Sequence, residues 1–128
     1  MSLVFFDINA LKAINDNEGH AAGDAAIQRV ASTMGETFRG ADIIARLAGD
    51  EFVVLLHNTS AEQAPRSIER LRDHRRNADT HQELTLSYGV ITYDSQRHPD
   101  ITHLIAEADD RMYDDKQRHA GRATSDNV

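Results

Sequence analysis

The chain has 128 residues, enough for one domain with one core, and its 40% apolar and 27% charged residues are ordinary for packed globular proteins rather than disordered ones. The longest apolar run, Phe52-Val53-Val54-Leu55-Leu56, falls far short of the roughly 18 residues that span a bilayer; no basic segment precedes an apolar stretch at the start and there is no cysteine, so membrane contact, secretion, disulfides and thiol chemistry are not expected and a cytoplasmic location is. Twenty-one acids against 14 Lys plus Arg give a net charge of -7, which argues against polymeric nucleic acid as a partner and requires local cations or a metal ion for any small anionic ligand.

Leu3-Val4-Phe5-Phe6, ended by Asp7, predicts a strand buried on both faces. From Gly23 onward, Ile27, Val30, Ala31, Met34 and Phe38 recur at helical steps and predict an amphipathic helix ending near Gly40. The runs 43–47 and 52–56 flank Ala48-Gly49-Asp50-Glu51 and predict a hairpin. Ser60-Ala61-Glu62-Gln63 has the form of a capping box, Pro65 fits a first turn, and Ala64, Ile68 and Leu71 carry the helix to about Arg76. Residues 77–83 read as a polar loop and 84–91 as a half-buried strand. Asp100 can cap a last helix whose apolar face is Ile101, Leu104, Ile105, Ala108 and Met112. The order β-α-ββ-α-β-α predicts an α/β (α+β) fold, an antiparallel-containing sheet with helices packed on it, formed by residues 1–128 as a single domain with a frayed tail over 122–128.

Two acidic sites occupy element ends: Asp7 closes the first strand, and Asp50-Glu51 lies at the hairpin tip. Taken singly, each is an ordinary solvated turn acid. If the strand lies beside the hairpin, Asp7 and Asp50 converge on one Mg²⁺, which takes hard oxygen ligands and commonly holds substrate phosphates as well. Gly19-His20-Ala21-Ala22-Gly23-Asp24 reads as a Gly-spaced loop opening a helix, where free N–H groups can receive an anion. Asn15 and Asp16 fit an Asx turn and Asp24 a helix cap; Asn15 and Asp24 are also side-chain types that can read a guanine edge, although spacing alone favours the caps. Seven histidines without H-x-H or H-E-x-x-H spacing give zinc little support. Ser87 has no nucleophile-elbow context.

Three ordered blocks, Asp7-Ile8-Asn9-Ala10-Leu11-Lys12-Ala13-Ile14-Asn15-Asp16, Gly19-His20-Ala21-Ala22-Gly23-Asp24 and Arg46-Leu47-Ala48-Gly49-Asp50-Glu51-Phe52, resemble the GGDEF family of diguanylate cyclases. Leu84-Thr85-Leu86-Ser87-Tyr88-Gly89-Val90 and Ala108-Asp109-Asp110-Arg111-Met112-Tyr113-Asp114-Asp115-Lys116 are similar to its closing strand and helix, so the likeness covers nearly the whole chain. The resemblance implies a nucleotidyl-cyclase-like fold with a ferredoxin-like βαββαβ sheet, and condensation of two GTP into cyclic di-GMP with release of pyrophosphate. It implies Mg²⁺ (or Mn²⁺) on Asp7, the Ile8 carbonyl and Asp50, with Asp50 as base or positioning group and Glu51 close by. Asn15 and Asp24 would read guanine, and Lys12 and Lys116 would meet the phosphates. One GTP per chain and two new phosphodiester bonds require two facing half-sites, hence an active homodimer. Arg39-Gly40-Ala41-Asp42 is an R-x-x-D pattern five residues before the hairpin turn, where this family often has an inhibitory product site, and Arg70 falls at that site's secondary arginine. A solvated ion pair is the plain alternative.

The chain departs from the family pattern at several places. Ala48 stands where the signature has its first Gly, and its Cβ is expected to crowd the phosphates or strain a turn needing positive φ. Asn9 and Leu11 replace the more frequent Asp and Phe, and Arg118 and Arg122 are both candidates for a phosphate-binding arginine. The chain opens at the first strand, ahead of which family members carry a helical segment. The domain is therefore expected to be truncated at its N-terminus, with Leu3, Phe5 or their neighbours left in water and prone to self-association. The leading function is a diguanylate cyclase, fused to a sensor or regulatory domain in the full protein. The alternatives are a catalytically weak or inactive GTP or cyclic di-GMP-binding signalling module, and a domain used only for pairing.

Overall fold

The computed structural model describes residues 1–38, 40–78 and 85–126; Arg39, the part of the expected 77–83 loop beyond Ala78, Leu84 and the last two residues lie outside that description. The elements are β1 (Ser2–Asn9), α1 (Leu11–Glu18), α2 (His20–Thr37), β2 (Ile43–Ala48), β3 (Glu51–Leu56), α3 (Ala64–Ala78), β4 (Thr85–Thr92) and α4 (Ile101–Asp126). The four strands form one sheet in the order β2-β3-β1-β4, antiparallel at every pairing.

β1 lies in the middle because its residues are apolar on both sides of the pleat. Val4, Phe6 and Ile8 join Phe52, Val54, Leu56 and Leu86 beneath Ile14 of α1, Ile27, Val30 and Met34 of α2, and Ile68 and Leu71 of α3. The alternate residues Leu3 and Phe5 join Val53 and Ile91 against Leu104, Ala108 and Met112 of α4. The result is three layers, with α1–α3 on one face of the sheet and α4 on the other. At the predicted helix starts, Ser60 N–H donates to Gln63 Oε1 at 3.0 Å while Gln63 N–H donates to Ser60 Oγ at 3.3 Å, a reciprocal capping box. Asp100 Oδ1 likewise accepts from His103 N–H at 3.0 Å.

Several expectations are corrected. Residues 11–18 are helical, so Asn15 lies inside α1 and makes no Asx turn; the helix escaped the periodicity argument because Ile14 is its one fully buried residue. The segment expected as a loop opening a helix is instead Gly19, with φ 94°, followed directly by α2. Asp24 is the fifth residue of that helix, too far in to cap it. The last helix is assigned over Ile101–Asp126. Leu3 and Phe5 are 0% and 3% exposed, because α4 covers β1 and β4. The exposed large apolar residues include Ile43 and Leu47 of β2 and also Ile101, which the sequence had placed on the apolar face of the last helix.

The contact between α4 and β4 depends on Gly89. A Cβ at this position would overlap the Ala108 carbonyl oxygen and the Met112 nitrogen and lie 2.8 Å from the Arg111 carbonyl carbon. All three are backbone atoms of α4, which cannot step aside singly. Gly89→Ala is expected to destabilise the fold by about 1–3 kcal/mol, as overpacking does, and to lower the Tm measured by calorimetry. A Tm equal to the parent's would show that α4 does not rest on this glycine.

Candidate functional site

Asp7 is placed near the end of β1, where the register sets it opposite Glu51 of β3 and Ser87 of β4; all three share the face covered by α4. Ile8 N–H donates to the Asp50 carbonyl at 2.9 Å, which ties the β2–β3 turn to the end of β1. Lys116 Nζ, from α4, donates to Asp7 Oδ2 at 2.9 Å. The structure thus brings together Asp7, Ile8, Asp50, Glu51 and Lys116.

The electrostatics of this cluster are unbalanced. Asp7 is 5% exposed, and its Oδ1 is buried without a hydrogen-bond partner among the described residues, a state that costs about 1–3 kcal/mol for a polar atom. Burial pushes the Asp7 carboxyl above its ordinary range; the hydrogen bond from Lys116 opposes that, and the Asp50 carboxylate adds to it. Glu51 is also pushed up, first by burial and then by Asp50, Asp7 and Asp109. Lys116 is pushed up chiefly by its bond to Asp7. One ammonium therefore faces several carboxylates. A hard divalent cation fits the donor set, because Mg²⁺ takes one or two carboxylates beside water and phosphate oxygens. No group of three or more ligating His, Asp or Glu side chains occurs among the described residues, and such an ion needs none.

Asn15 is partly buried on α1, and its Oδ1 too is enclosed without a partner among the described residues. Gly23 of α2 lies against it. Asp24 and Lys12 are exposed on α2 and α1, and no hydrogen bond links either to the carboxylate cluster.

Two supports escaped the sequence reading. Asn9 Nδ2 donates to Ser87 Oγ at 2.9 Å and to Thr85 Oγ1 at 3.0 Å, clamping β1 to β4 beside Asp7; this gives Ser87 its partner. Asp115 Oδ2 accepts from Tyr88 N–H at 2.9 Å, fixing α4 to β4 one residue before Lys116. The only sequence signal for the second support was an acid next to Lys116. Arg118 lies 3.7 Å from Asp115; the Arg122 side chain lies outside the described residues.

The hairpin turn overturns the expectation of strain at Ala48. Among the described residues positive φ occurs at Ala10, Asn58, Gly19 and Gly40, not at Ala48, which forms part of a bulge opposite Glu51. Arg46 latches the turn, donating to the carbonyls of Ala48 and Gly49, each at 3.1 Å.

Asp42 and Arg70 line one cavity of about 380 Å³ with Glu36, Thr37 and His74. Asp42 Oδ1 accepts from His57 N–H at 2.8 Å. Thr37 Oγ1 donates to the Thr33 carbonyl and lies 2.7 Å from His74 Nδ1. Arg39, the third residue expected here, lies outside the described residues.

The family model for the GGDEF domain of diguanylate cyclases matches residues 1–122. Diguanylate cyclase A of Treponema denticola is 35% identical over 129 residues, covering 97% of this chain and 34% of the relative; the probable diguanylate cyclase DgcE of Escherichia coli is 36% identical, covering 96% and 12%. The chain spans about a third or less of the curated relatives' length. Among solved structures, the GGDEF domain of YfiN from Pseudomonas aeruginosa superposes with a TM-score of 0.80 at 31% identity, covering 91% of this chain and 76% of that one. The GGDEF domain of DgcB from Caulobacter crescentus, in complex with c-di-GMP, gives 0.78 at 25% identity, covering 91% and 71%. No helix among the described residues is long and apolar enough to cross a membrane. The antiparallel sheet, the acidic turn tied to β1 and a family match over nearly the whole length agree: this chain belongs to the GGDEF family of diguanylate cyclases.

Proposed function

We propose that this domain condenses two GTP molecules into cyclic di-GMP and pyrophosphate, as one half of a homodimer in which each copy presents one GTP to the other. The observation that carries the reading is the buried Asp7 carboxylate, whose Oδ1 has no geometric hydrogen bond among the described residues, close to the Asp50 carboxylate at the hairpin turn. Mg²⁺ or Mn²⁺ held by Asp7, the Ile8 carbonyl and Asp50 would supply positive charge against the triphosphate and acidify the ribose 3′-hydroxyl. Asp50 orients or deprotonates that hydroxyl, with Glu51 adjacent. Lys116 and Lys12 offer ammonium groups to the phosphates. Asn15 and Asp24 read the guanine. Each new bond forms between a 3′-oxygen and an α-phosphorus as the bond to pyrophosphate breaks, and the 3′-hydroxyl proton passes to the base.

Arg39, Asp42 and Arg70 serve as a product site that restrains synthesis. The arginine forks suit phosphate, and the Asp42 oxygen not engaged by His57 suits a guanine donor. The greater length of the relatives supports residues 1–128 being one catalytic domain joined to a sensor or regulatory unit. A cytoplasmic setting, with GTP at hand, agrees with this reading. A second reading, a GTP or cyclic di-GMP-binding module with little turnover, is favoured by one observation: Ala48 places a methyl group at the turn where the signature has glycine.

Asp50→Asn keeps the size of the turn side chain and removes its charge. Turnover of labelled GTP should fall at least a hundredfold, and the rise in Tm that Mg²⁺ gives the parent should disappear. A variant that makes product at the parent's rate would refute the metal site, and a parent that binds GTP without turnover would favour the second reading.

Base choice rests on Asp24, whose carboxylate accepts from guanine N1–H and N2–H, whereas adenine presents a bare N1 and leaves two acceptors opposed. The parent should prefer GTP over ATP by about tenfold or more, since an unmet buried polar pair costs about 1–3 kcal/mol. Asp24→Ser, which can donate to adenine, should relax the preference in competition binding. Equal selectivity in both proteins would count against this role.

Arg70→Ala should weaken binding of cyclic di-GMP about tenfold or more by calorimetry, as loss of a charged hydrogen bond does, while initial GTP turnover stays unchanged. Unaltered product affinity would remove Arg70 from the product site.

A further inference from the structure

Two polar bonds join the second half of α4 to the sheet, and they leave from consecutive residues. Asp115 Oδ2 accepts from Tyr88 N–H at 2.9 Å, and Lys116 Nζ donates to Asp7 Oδ2 at 2.9 Å. Neighbouring positions on a helix point about 100° apart; here the first bond runs to β4, an edge strand among the described residues, and the second to β1 beside it. Buried Leu104, Ala108 and Met112 decide which side of α4 meets the sheet, but apolar contacts are non-directional and tolerate a small rotation or slide. A hydrogen bond tolerates far less. The two bonds together set how α4 is turned and where it stands along its axis.

They differ in what a ligand would do to them. The Lys116 side chain is 44% exposed, within reach of a ligand, and its partner Asp7 belongs to the cluster read above as the site of a cation and a triphosphate. Phosphate oxygens compete with Asp7 for the ammonium, and a cation competes with the ammonium for Asp7. The other bond is insulated from this exchange. Tyr88 N–H is a backbone donor on an edge strand, a group that commonly lacks a partner, and the Asp115 side chain that receives it is only 14% exposed. Arg118 lies 3.7 Å from Asp115 and is 69% exposed, and a pair so open to water adds little.

We infer that Asp115 is a positioning residue for nucleotide binding: its bond to the Tyr88 amide holds α4 in place while the Lys116 ammonium turns from Asp7 to the phosphates. The inference rests on the cyclase reading above and adds to it a residue that acts through Lys116. Without the Asp115 bond, the polar tie left at this end of α4 is the Lys116–Asp7 pair, the one that the nucleotide contests. The loss is therefore felt most when nucleotide is bound.

The test is equilibrium binding of GTP, with Mg²⁺, to the parent chain, Asp115→Ala, Asp115→Asn, Lys116→Ala and the double variant, with Tm recorded for each in the presence and absence of nucleotide. Asp115→Ala should bind GTP about tenfold more weakly, the order of one hydrogen bond, and should gain less Tm from Mg²⁺ and GTP than the parent gains. Asparagine keeps a side-chain carbonyl able to accept from the Tyr88 amide, so Asp115→Asn should bind within about threefold of the parent. Once Lys116 is alanine, removing Asp115 should cost no further affinity, because no ammonium remains to be aimed. A residue that only stabilises the fold would give the same loss with or without Lys116. Asp115→Leu, which fills the space and offers no acceptor, takes the place of Asp115→Ala if the alanine variant does not fold. An Asp115→Ala protein that binds GTP as the parent does overturns the inference. So does an Asp115→Asn protein as weak as Asp115→Ala, since charge rather than the bond is then at work, or a full further loss in the double variant. A parent that binds no GTP overturns the cyclase reading itself and this inference with it. That result is distinct from a parent that binds GTP and an Asp115→Ala variant that binds it equally well.

Discussion

A strand buried on both faces sets a problem at its end, and the site of this domain is built on that problem. β1 can hold the centre of the sheet because Leu3 to Phe6 have apolar neighbours above and below. One step further the same burial encloses a carboxylate, Asp7, in surroundings that disfavour its charge. A lone buried carboxylate would simply protonate or move the strand end. Here Lys116 compensates it from one side, while Asp50 on the neighbouring turn makes the deficit of positive charge larger. The cluster is stable as a fold and unsatisfied as a set of charges, the condition in which a cation and a polyphosphate together find a place.

The lysine's position is not a local matter. Lys116 is carried by α4, whose approach to the sheet is set by the absence of a side chain at Gly89 and pinned by Asp115 to the Tyr88 amide. Two residues beyond Asp7, Asn9 holds the end of β1 to β4 through Ser87 and Thr85. Packing between an edge strand and a helix thus fixes a charge pair at the centre of the sheet. A change at Gly89 would act on stability and on the site at once, because one contact serves both.

How far all this was legible in the sequence depended on what kind of signal each feature leaves. The runs 3–6 and 52–56 announced strands because burial on both faces demands unbroken apolar residues, and the capping box announced α3 because two side chains must reciprocate at fixed spacing. Asp7 and Asp50 could be paired only on the condition that the first strand lies beside the hairpin, which the β1–β3 pairing meets. α1 left almost no trace: eight residues with Ile14 alone fully buried give periodicity nothing to repeat. The covering of Leu3 and Phe5 was misjudged because the apolar face of α4 says that the helix packs and does not say which face of the sheet it takes. The spacing 15-to-23 holds no hint of contact; that Gly23 meets Asn15 emerges only when two helices joined by a positive-φ glycine fold back on each other. The roles proposed for Lys12 and Arg39 rest on family likeness rather than on any physical pattern of their own.

The turn that carries Asp50 shows why the alanine in its signature leaves the fold untouched. A glycine is indispensable in a turn when the backbone must enter the left-handed region, and Ala48 does not. The conformation is held by other means: two bonds from the Arg46 guanidinium to the carbonyls of Ala48 and Gly49, and the bond from Ile8 N–H to the Asp50 carbonyl. The last of these also sets where the Asp50 backbone lies relative to β1, so the acid is located by the sheet rather than by the flexibility of its own turn. A methyl group at position 48 then changes the space above the turn without changing the path of the chain. Its consequence falls on whatever must lie close against that backbone, and the distance between the two acids on either side of the β1 end is left as the sheet determines it.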